Sequence, residues 1–496
     1  MRREAGLLLH PTSLPGPYGI GDFGAATTRF LDWSRSAGQS LWQILPLGPI
    51  AFANSPYACV SAYAGNPLFV PPDRLRDEGL LPPDAIRDLP SFPSGRVDYD
   101  GVIPWKDSLL RASWAHVRAR GPAWVPEAIE RFRSAPEQDG WLSDWSLYIA
   151  VKGAHEGADW TKWEPSLRRR DPSALAKAAA ALRDETDYQA YLQWLFFRYW
   201  EEARAAARER GISIVGDAPI YVTMDSVDVW ANPELFQLDD SLHPIDVSGV
   251  PPDYFSKTGQ RWGSPLYRWD RMEADGFQWW IRRIRADLRK CDVLRIDHFR
   301  AFEAYWAIPA AEKTAVRGRW EPGPGIRLFR ALREALGQLP LIAEDLGEID
   351  DGVRGLLRET GLPGMRVLQF GLADPKSTHH PSKHVENSVA YTGTHDSDTA
   401  RGWFASLAKA EREAVLRSLG GVDGREVEWD MIRAAYGSPS ARAIVPIQDV
   451  LGLGSEARTN TPSKTTGNWE FRMAPDALTR ELAARLRGLA ETSGRG

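Results

Sequence analysis

The stretch DVLRIDHF, residues 292–299, opens as a short apolar run and ends on charge. Runs of this length bounded by polar or turn residues mark buried strands, and Asp297 falls where the chain must leave the sheet. Seven further runs share that design: GLLLHP (6–11), LWQILPLGP (41–49), ISIVGDAPI (212–220), LPLIAEDLG (339–347), MRVLQFG (365–371), SVAYTGTHD (388–396) and RAIVPIQD (442–449). Amphipathic helical stretches precede most of them, at 22–37, 187–209, 275–290, 326–337, 349–360 and 426–436, and another follows the last at 475–491. No helix can be placed between the sixth and seventh runs. Eight strands alternating with helices predict an α/β fold, a (β/α)8 barrel of TIM type.

The spacing of the runs is uneven. About 160 residues separate the second and third strands and about 70 the third and fourth, where a helix and its connections need roughly 30. The extra lengths are read as insertions on the βα loops, the face on which barrels build substrate sites. Residues 50–185, after the second strand, are Pro- and Trp-rich and are expected to form a mixed subdomain. Residues 221–274, after the third, are expected to be structured loop. With no repeat, linker or low-complexity tract, residues 1–496 read as one catalytic unit.

Composition narrows the function classes. Apolar residues make up 43% and charged residues 26% of the 496, as in globular proteins, and the formal charge is only −5. No Lys/Arg block marks a nucleic-acid partner. Two cysteines, Cys59 and Cys291, cannot build a disulfide framework, and the opening MRREAGLLLHPT is too short in its apolar run for a signal peptide. No run is long enough to span a membrane, so a cytoplasmic address is expected. Tryptophan is unusually frequent, 21 against 14 Tyr and 17 Phe, which suits either core packing or a partner with apolar faces and hydroxyl rims, such as a sugar.

Polar residues gather at one end of the strands: His10, Asp217, Asp297, Glu344, Gln369, His395 with Asp396, and Gln448 with Asp449. One carboxylate at a strand end usually caps the next turn. Four of them in a barrel converge on one rim, where barrel enzymes place their catalytic groups. Arg295 and Asp297, two apart on a strand, share a face, so a guanidinium is expected to favour the charged carboxylate. Glu344, behind three apolar residues, is expected to hold its proton near neutrality. One ionised and one protonated carboxyl on neighbouring strands can cleave a glycosidic bond, and Asp396 supplies a third carboxylate for sugar hydroxyls or for positive charge in the transition state. The histidines of STHHPSKH, His379, His380 and His384, have no recognised zinc spacing, and neither a metal nor a cofactor is expected.

At this level the sequence resembles a known family. LLLHPTSLPGPYGIGDFG, WQILPLGP, NSPYACVSAYAGNP, GDAPIYV, DSVDVWANPELFQLD, GVPPDYFSKTGQRWG, RIDHFRAFEAYWAIP, AEDLG, YTGTHDSDT and QDVLGLGSEARTNTP…GNWEFR are similar, in order from about residue 6 to 473, to the amylomaltases, 4-α-glucanotransferases related to the α-amylase clan. The resemblance implies a retaining enzyme that moves α-1,4-glucan segments, with maltooligosaccharides as partners and glucose as an acceptor. It implies Asp297 as nucleophile with Arg295 as its ionic partner, Glu344 as general acid and then base, and Asp396 as transition-state stabiliser. Asp217, His298 and His395 follow as substrate contacts. It also implies that the loop around Tyr254, Phe255, Gln260 and Trp262 is a lid over the cleft, and that Tyr57 and Asn468 touch substrate. No room is expected after the eighth strand for the β-sandwich that usually follows an amylase barrel. Two other readings stay open: an α-glucan hydrolase with the same carboxylates, or a catalytically inactive glucan-binding protein.

Overall fold

All eight apolar runs pair into one parallel sheet that closes on itself. The computed structural model describes residues 2–252, 256–462 and 464–496. Among them the strands are β1 (Glu4–Leu8), β2 (Leu41–Gln43), β3 (Ser213–Ala218), β4 (Asp246–Val250), β5 (Gln260–Pro265), β6 (Val293–Ile296), β7 (Ala304–Pro309), β8 (Arg319–Pro322), β9 (Leu341–Ala343), β10 (Gly364–Val367), β11 (Ser388–Tyr391) and β12 (Arg442–Pro446). The barrel runs β1-β12-β11-β10-β9-β6-β3-β2 and back to β1. The paired strands are shorter than the runs. LWQILPLGP contributes only its first three residues to the ladder, and the remainder, broken by Pro46 and Pro49, forms rim loop.

The period of two along each strand decides what faces inward. Leu8, Val215, Val293, Ile342, Met365, Val389 and Ile444 pack against one another inside the barrel, while the alternate residues Ile214, Leu294 and Leu341 belong to the larger core under the helices. Each inward series continues to the carboxyl-terminal end: Val215 to Asp217, Val293 to Arg295, Ile342 to Glu344. The outer helices bury one stripe each. The helix Asp351–Thr360, for example, packs Val353 and Leu356 inward, accepts its cap at Asp350 from the Val353 amide, and ends at Gly361 in the left-handed region.

Between β10 and β11 the chain makes only two 3-10 turns, Leu368–Phe370 and Pro381–Lys383, which is why no helical period is visible there. The helix expected before the eighth strand, Val427–Gly437, is joined by two more, Ala400–Ser406 and Lys409–Ser418.

Two regions differ from the sequence reading. The segment between β2 and β3, expected as mixed, is helices and turns, among them Tyr99–Arg120, Val125–Arg133 and Leu142–Ala154 packed on the long helix Arg183–Glu209. The segment after β3, expected as loop, contributes β4 and β5 to a four-stranded antiparallel sheet in the order β5-β4-β7-β8. Its other half comes from residues between β6 and β9, where no insertion is evident in the sequence. Glycine and proline at Gly249, Pro251, Pro252, Gly259 and Gly263 break the alternation that would have marked β4 and β5 as strands. Among the described residues no helix is long and apolar enough to cross a membrane.

Candidate active site

The barrel geometry brings Asp217, Arg295, Asp297 and Glu344 onto three adjacent strand ends, β3, β6 and β9. Hydrogen bonds continue the ladder one step past the strands: the Asp297 amide donates to Ala218 O at 3.0 Å, the Glu344 amide to Ile296 O at 3.1 Å, and the Phe299 amide to Glu344 O at 3.0 Å. Backbone thus fixes the residues that carry the carboxyls.

Arg295 organises their charges. It is 3% exposed. Its Nη1 donates to both oxygens of Asp217, at 2.8 and 2.7 Å, and its Nη2 donates to Asp297 Oδ1 at 2.9 Å. Tyr57 adds a hydroxyl donated to Asp217 Oδ2 at 2.8 Å. Burial pushes the Asp217 carboxyl up to about 6, against the pull of Arg295. Asp217 thus takes up Arg295 and Tyr57, whereas Asp297 meets Arg295 through Oδ1 alone among the described residues, and its side chain is 29% exposed.

Glu344 lies beside this pair. Its Oε2 accepts from the His298 amide at 2.7 Å and its Oε1 from the Leu346 amide at 2.8 Å. The His298 amide belongs to the peptide that links it to Asp297, so the two carboxyl-bearing residues meet at one peptide bond. Burial, reinforced by the charge of Asp297, raises Glu344 to about 8 and outweighs Arg295 and the two amides. To present that amide, His298 adopts φ 51° and ψ 52°, the left-handed conformation that a residue with a Cβ rarely takes. Burial pushes its ring down to about 4, so the imidazole is neutral. Trp262 stands edge-on to it, with ring centroids 4.9 Å apart, and Gln260 Oε1 accepts from the Trp262 indole at 3.2 Å.

A second cluster forms the facing side of the rim. His395 stacks on Tyr57 with centroids 5.0 Å apart, and its Nε2 lies 3.4 Å from Asp396 Oδ2. Asn460 Nδ2 donates to Asp396 Oδ1 at 2.6 Å, and Arg458 Nη2 to the Asp396 carbonyl at 2.6 Å. Desolvation by the surrounding protein would raise Asp396, whose side chain stays 48% exposed, but His395 and Asn460 together hold it well below the usual carboxylate range. Behind this cluster His10 is driven down to about 3 by burial and by His395, and its Nδ1 accepts from the Leu45 amide at 3.3 Å.

Of the residues singled out in the sequence, Tyr57, Asp217, Gln260, Trp262, Arg295, Asp297, His298, Glu344, His395 and Asp396 belong to these two connected clusters. Tyr254 and Phe255 lie outside the described residues. Asn468 spends its amide on its own loop, accepting from the Thr461 amide at 2.8 Å and donating to Lys464 O at 2.9 Å. It holds the turn that presents Trp469, a residue the sequence reading did not single out. Trp469, at φ 65°, packs against both Tyr57 and His395 with centroids 5.8 and 6.0 Å away. Asn460 and Arg458 also escaped the reading. Their only sequence signal is the dense polar run EARTN, which does not say that it folds back onto Asp396.

The histidine-rich loop is structural. His379 Nδ1 accepts from the Val367 amide at 3.1 Å, and His384 sits between the His379 carbonyl and Ser440. Among the described residues no group of three or more His, Cys, Asp or Glu is placed to hold a metal ion.

The site can therefore donate a proton from one buried carboxyl, offer an adjacent arginine-paired carboxylate as nucleophile, and meet developing positive charge with a third. Comparison with known proteins points the same way. A family model described as 4-alpha-glucanotransferase matches residues 9–479. The chain is 46% identical over 498 residues to a protein of Synechocystis sp. named 4-alpha-glucanotransferase, covering 100% of this chain and 98% of the relative. It is also 46% identical over 503 residues to one of that name from Thermus thermophilus, covering 99% of each. Among solved structures, the amylomaltase of Streptococcus agalactiae in complex with acarbose is 35% identical, superposes with a TM-score of 0.96, and covers 100% of both chains.

Proposed function

Because this chain belongs to the 4-alpha-glucanotransferase family, we propose that it transfers α-1,4-glucan segments to the 4-hydroxyl of glucose or of another glucan through Asp297, Glu344 and Asp396. The observation that carries the assignment of roles is the contrast between the carboxyls. Glu344 is raised to about 8 and holds a proton at neutral pH, while Asp297 is ion-paired to Arg295 through Oδ1 and its side chain is 29% exposed.

In the first step an Asp297 oxygen attacks the anomeric carbon as Glu344 protonates the departing glycosidic oxygen, leaving a glycosyl ester on Asp297. Asp396, held ionised by His395 and Asn460, stabilises the positive charge that develops on the sugar. In the second step the deprotonated Glu344 takes the proton of the incoming 4-hydroxyl, which attacks the same carbon and restores Asp297. Two displacements retain the configuration.

His298, His395, Tyr57, Gln260 and Trp262 line this site as the groups that meet sugar hydroxyls and ring faces. Asp217 orients the whole by fixing Arg295. We read residues 1–496 as one catalytic unit, with 50–185 and 221–274 as insertions on its substrate face. One hydrophobic core runs continuously from the barrel helices into both segments and supports that reading. Both cysteines are unpaired thiols, which fits the reducing cytoplasm.

Incubation with maltotriose alone tests the function. Transfer yields glucose and oligosaccharides longer than three units. Equal amounts of glucose and maltose with nothing longer would instead establish the hydrolase, and no conversion by the folded protein would establish the binding protein.

A further inference from the structure

The antiparallel sheet presents an aromatic ring that the catalytic scheme does not use. Trp320 lies on β8, the outer strand of that sheet, and is 38% exposed. A large exposed aromatic on an edge strand is an association hazard that folds usually avoid unless it has a use. This one is held rigidly. Its cross-strand partner Trp306 meets it at 5.1 Å with the rings 69° apart, and Trp306 is itself anchored by its indole N–H on Ala315 O at 2.9 Å.

The second support is the guanidinium of Arg300, 4.0 Å from the Trp320 ring centroid. Arg300 is 6% exposed and donates to Glu348 O at 3.0 Å and to Asp350 Oδ2 at 2.9 Å. It comes three residues after Asp297, and its acceptors come four and six residues after Glu344. Trp320 is thus fastened, through Arg300, to the loops that follow Asp297 and Glu344. With Arg300 over one side of the ring and 38% of the residue still exposed, Trp320 offers apolar surface, and Arg300 links it to the half-exposed carboxylate of Asp350, a hydroxyl acceptor; together these are the features that a pyranose matches.

We propose that Trp320 is a stacking platform for a glucose unit of an α-1,4-glucan, several units removed from the bond that reacts at Asp297. The inference rests on the glucan-active reading of the site. The platform contributes binding only to substrates long enough to reach it, so it sets a preference for long chains over short ones. Asp350 accepts a hydroxyl of the same unit.

The test compares kcat/KM for a long maltooligosaccharide, maltoheptaose or longer, with kcat/KM for maltotriose, in the parent enzyme and in Trp320→Ala and Trp320→Phe. The long-to-short ratio is expected to fall roughly five- to tenfold in Trp320→Ala and to recover most of that in Trp320→Phe, which keeps a ring. Calorimetric binding of the same two sugars to Asp297→Asn, with and without Trp320→Ala, should give the same ratio without turnover. An unchanged ratio overturns the proposal. So does an equal loss on both sugars that Phe does not repair, since that is the behaviour of a ring that merely supports Arg300. If the parent enzyme hydrolyses maltotriose without transfer, the transferase reading fails while the ratio still decides the platform.

Discussion

The two halves of the catalytic rim are held in different ways. At β3, β6 and β9 the reactive groups are fixed by backbone: the Asp297 and Glu344 amides continue the barrel ladder, Glu344 accepts from two further amides, and Arg295 ties Asp297 to Asp217. At β11, His395 and Asp396 sit four and five residues beyond the strand end. They are held by side chains from distant segments, Tyr57, Arg458, Asn460 and Trp469. The same contrast appears in their charges. Burial raises Glu344, whereas Asp396, half exposed, is lowered by its polar partners against what desolvation remains. In the mechanism we propose, one half holds a proton and reacts, and the other stays charged and stabilises. A substitution in the first half should therefore remove chemistry, and one in the support of the second should degrade it.

The largest effect is expected at the proposed nucleophile. Asp297→Asn keeps the shape and one acceptor for Arg295 but cannot form the glycosyl ester, so kcat on maltotriose is expected to fall by at least ~10³-fold with the circular dichroism spectrum and glucan binding retained. Near-normal transfer by that variant would remove Asp297 from its role and dissolve the distinction between the two halves.

Next comes Glu344→Gln, which sharpens the comparison through pH. With the folded value near 8 and the ordinary one at 4.5, the folded state binds the extra proton. The stability associated with this site is present below about 4.5 and is lost as pH rises through about 8. Catalysis has the same sign: glycosidic cleavage needs the protonated acid, so kcat/KM should decline above about pH 8. Glu344→Gln should lose roughly 10²–10⁴-fold on glucans and show no such limb. A basic limb that survives the substitution belongs to another group.

The smallest of the three falls on the side-chain-supported half. Asn460→Ala takes from the Asp396 carboxylate its amide donor and leaves it the His395 contact, and a displaced stabiliser costs about 10- to 100-fold in kcat. Because Asn460 does not carry the reaction, KM and the basic pH limb should change little. A loss as large as that of Asp297→Asn would place Asn460 in the chemistry itself.

The same difference governed what could be read from the sequence. The first half was legible because a strand of period two fixes direction: once Val293 faces inward Arg295 does too, and an apolar LIA ahead of Glu344 already implies desolvation. The order of the eight barrel strands followed from the alternation of runs and helices. Trp469, Arg458 and Asn460 were not legible, since no local pattern says that a loop near residue 460 returns to the end of β11. The antiparallel sheet was hidden for a related reason. Its strands come from two separate segments and pair non-locally, and their glycines and prolines erase the alternation. Much of the tryptophan excess, which hinted at sugar, fills the core: Trp42, Trp160, Trp200, Trp230, Trp279 and Trp280 are essentially inaccessible.

The central claim, that Asp297 and no other carboxylate forms the covalent intermediate, can be examined with an α-glycosyl fluoride offered to Glu344→Gln in the absence of acceptor. Fluoride departs without a proton, so the first displacement proceeds without the acid, while loss of the base stalls the second and lets the glycosyl-enzyme accumulate. Peptide mass spectrometry after quenching at low pH should find one added glycosyl unit on the peptide that contains Asp297. A glycosyl unit on the peptide of Asp217 or Asp396, or turnover of the fluoride to an inverted product with no adduct, would contradict the account.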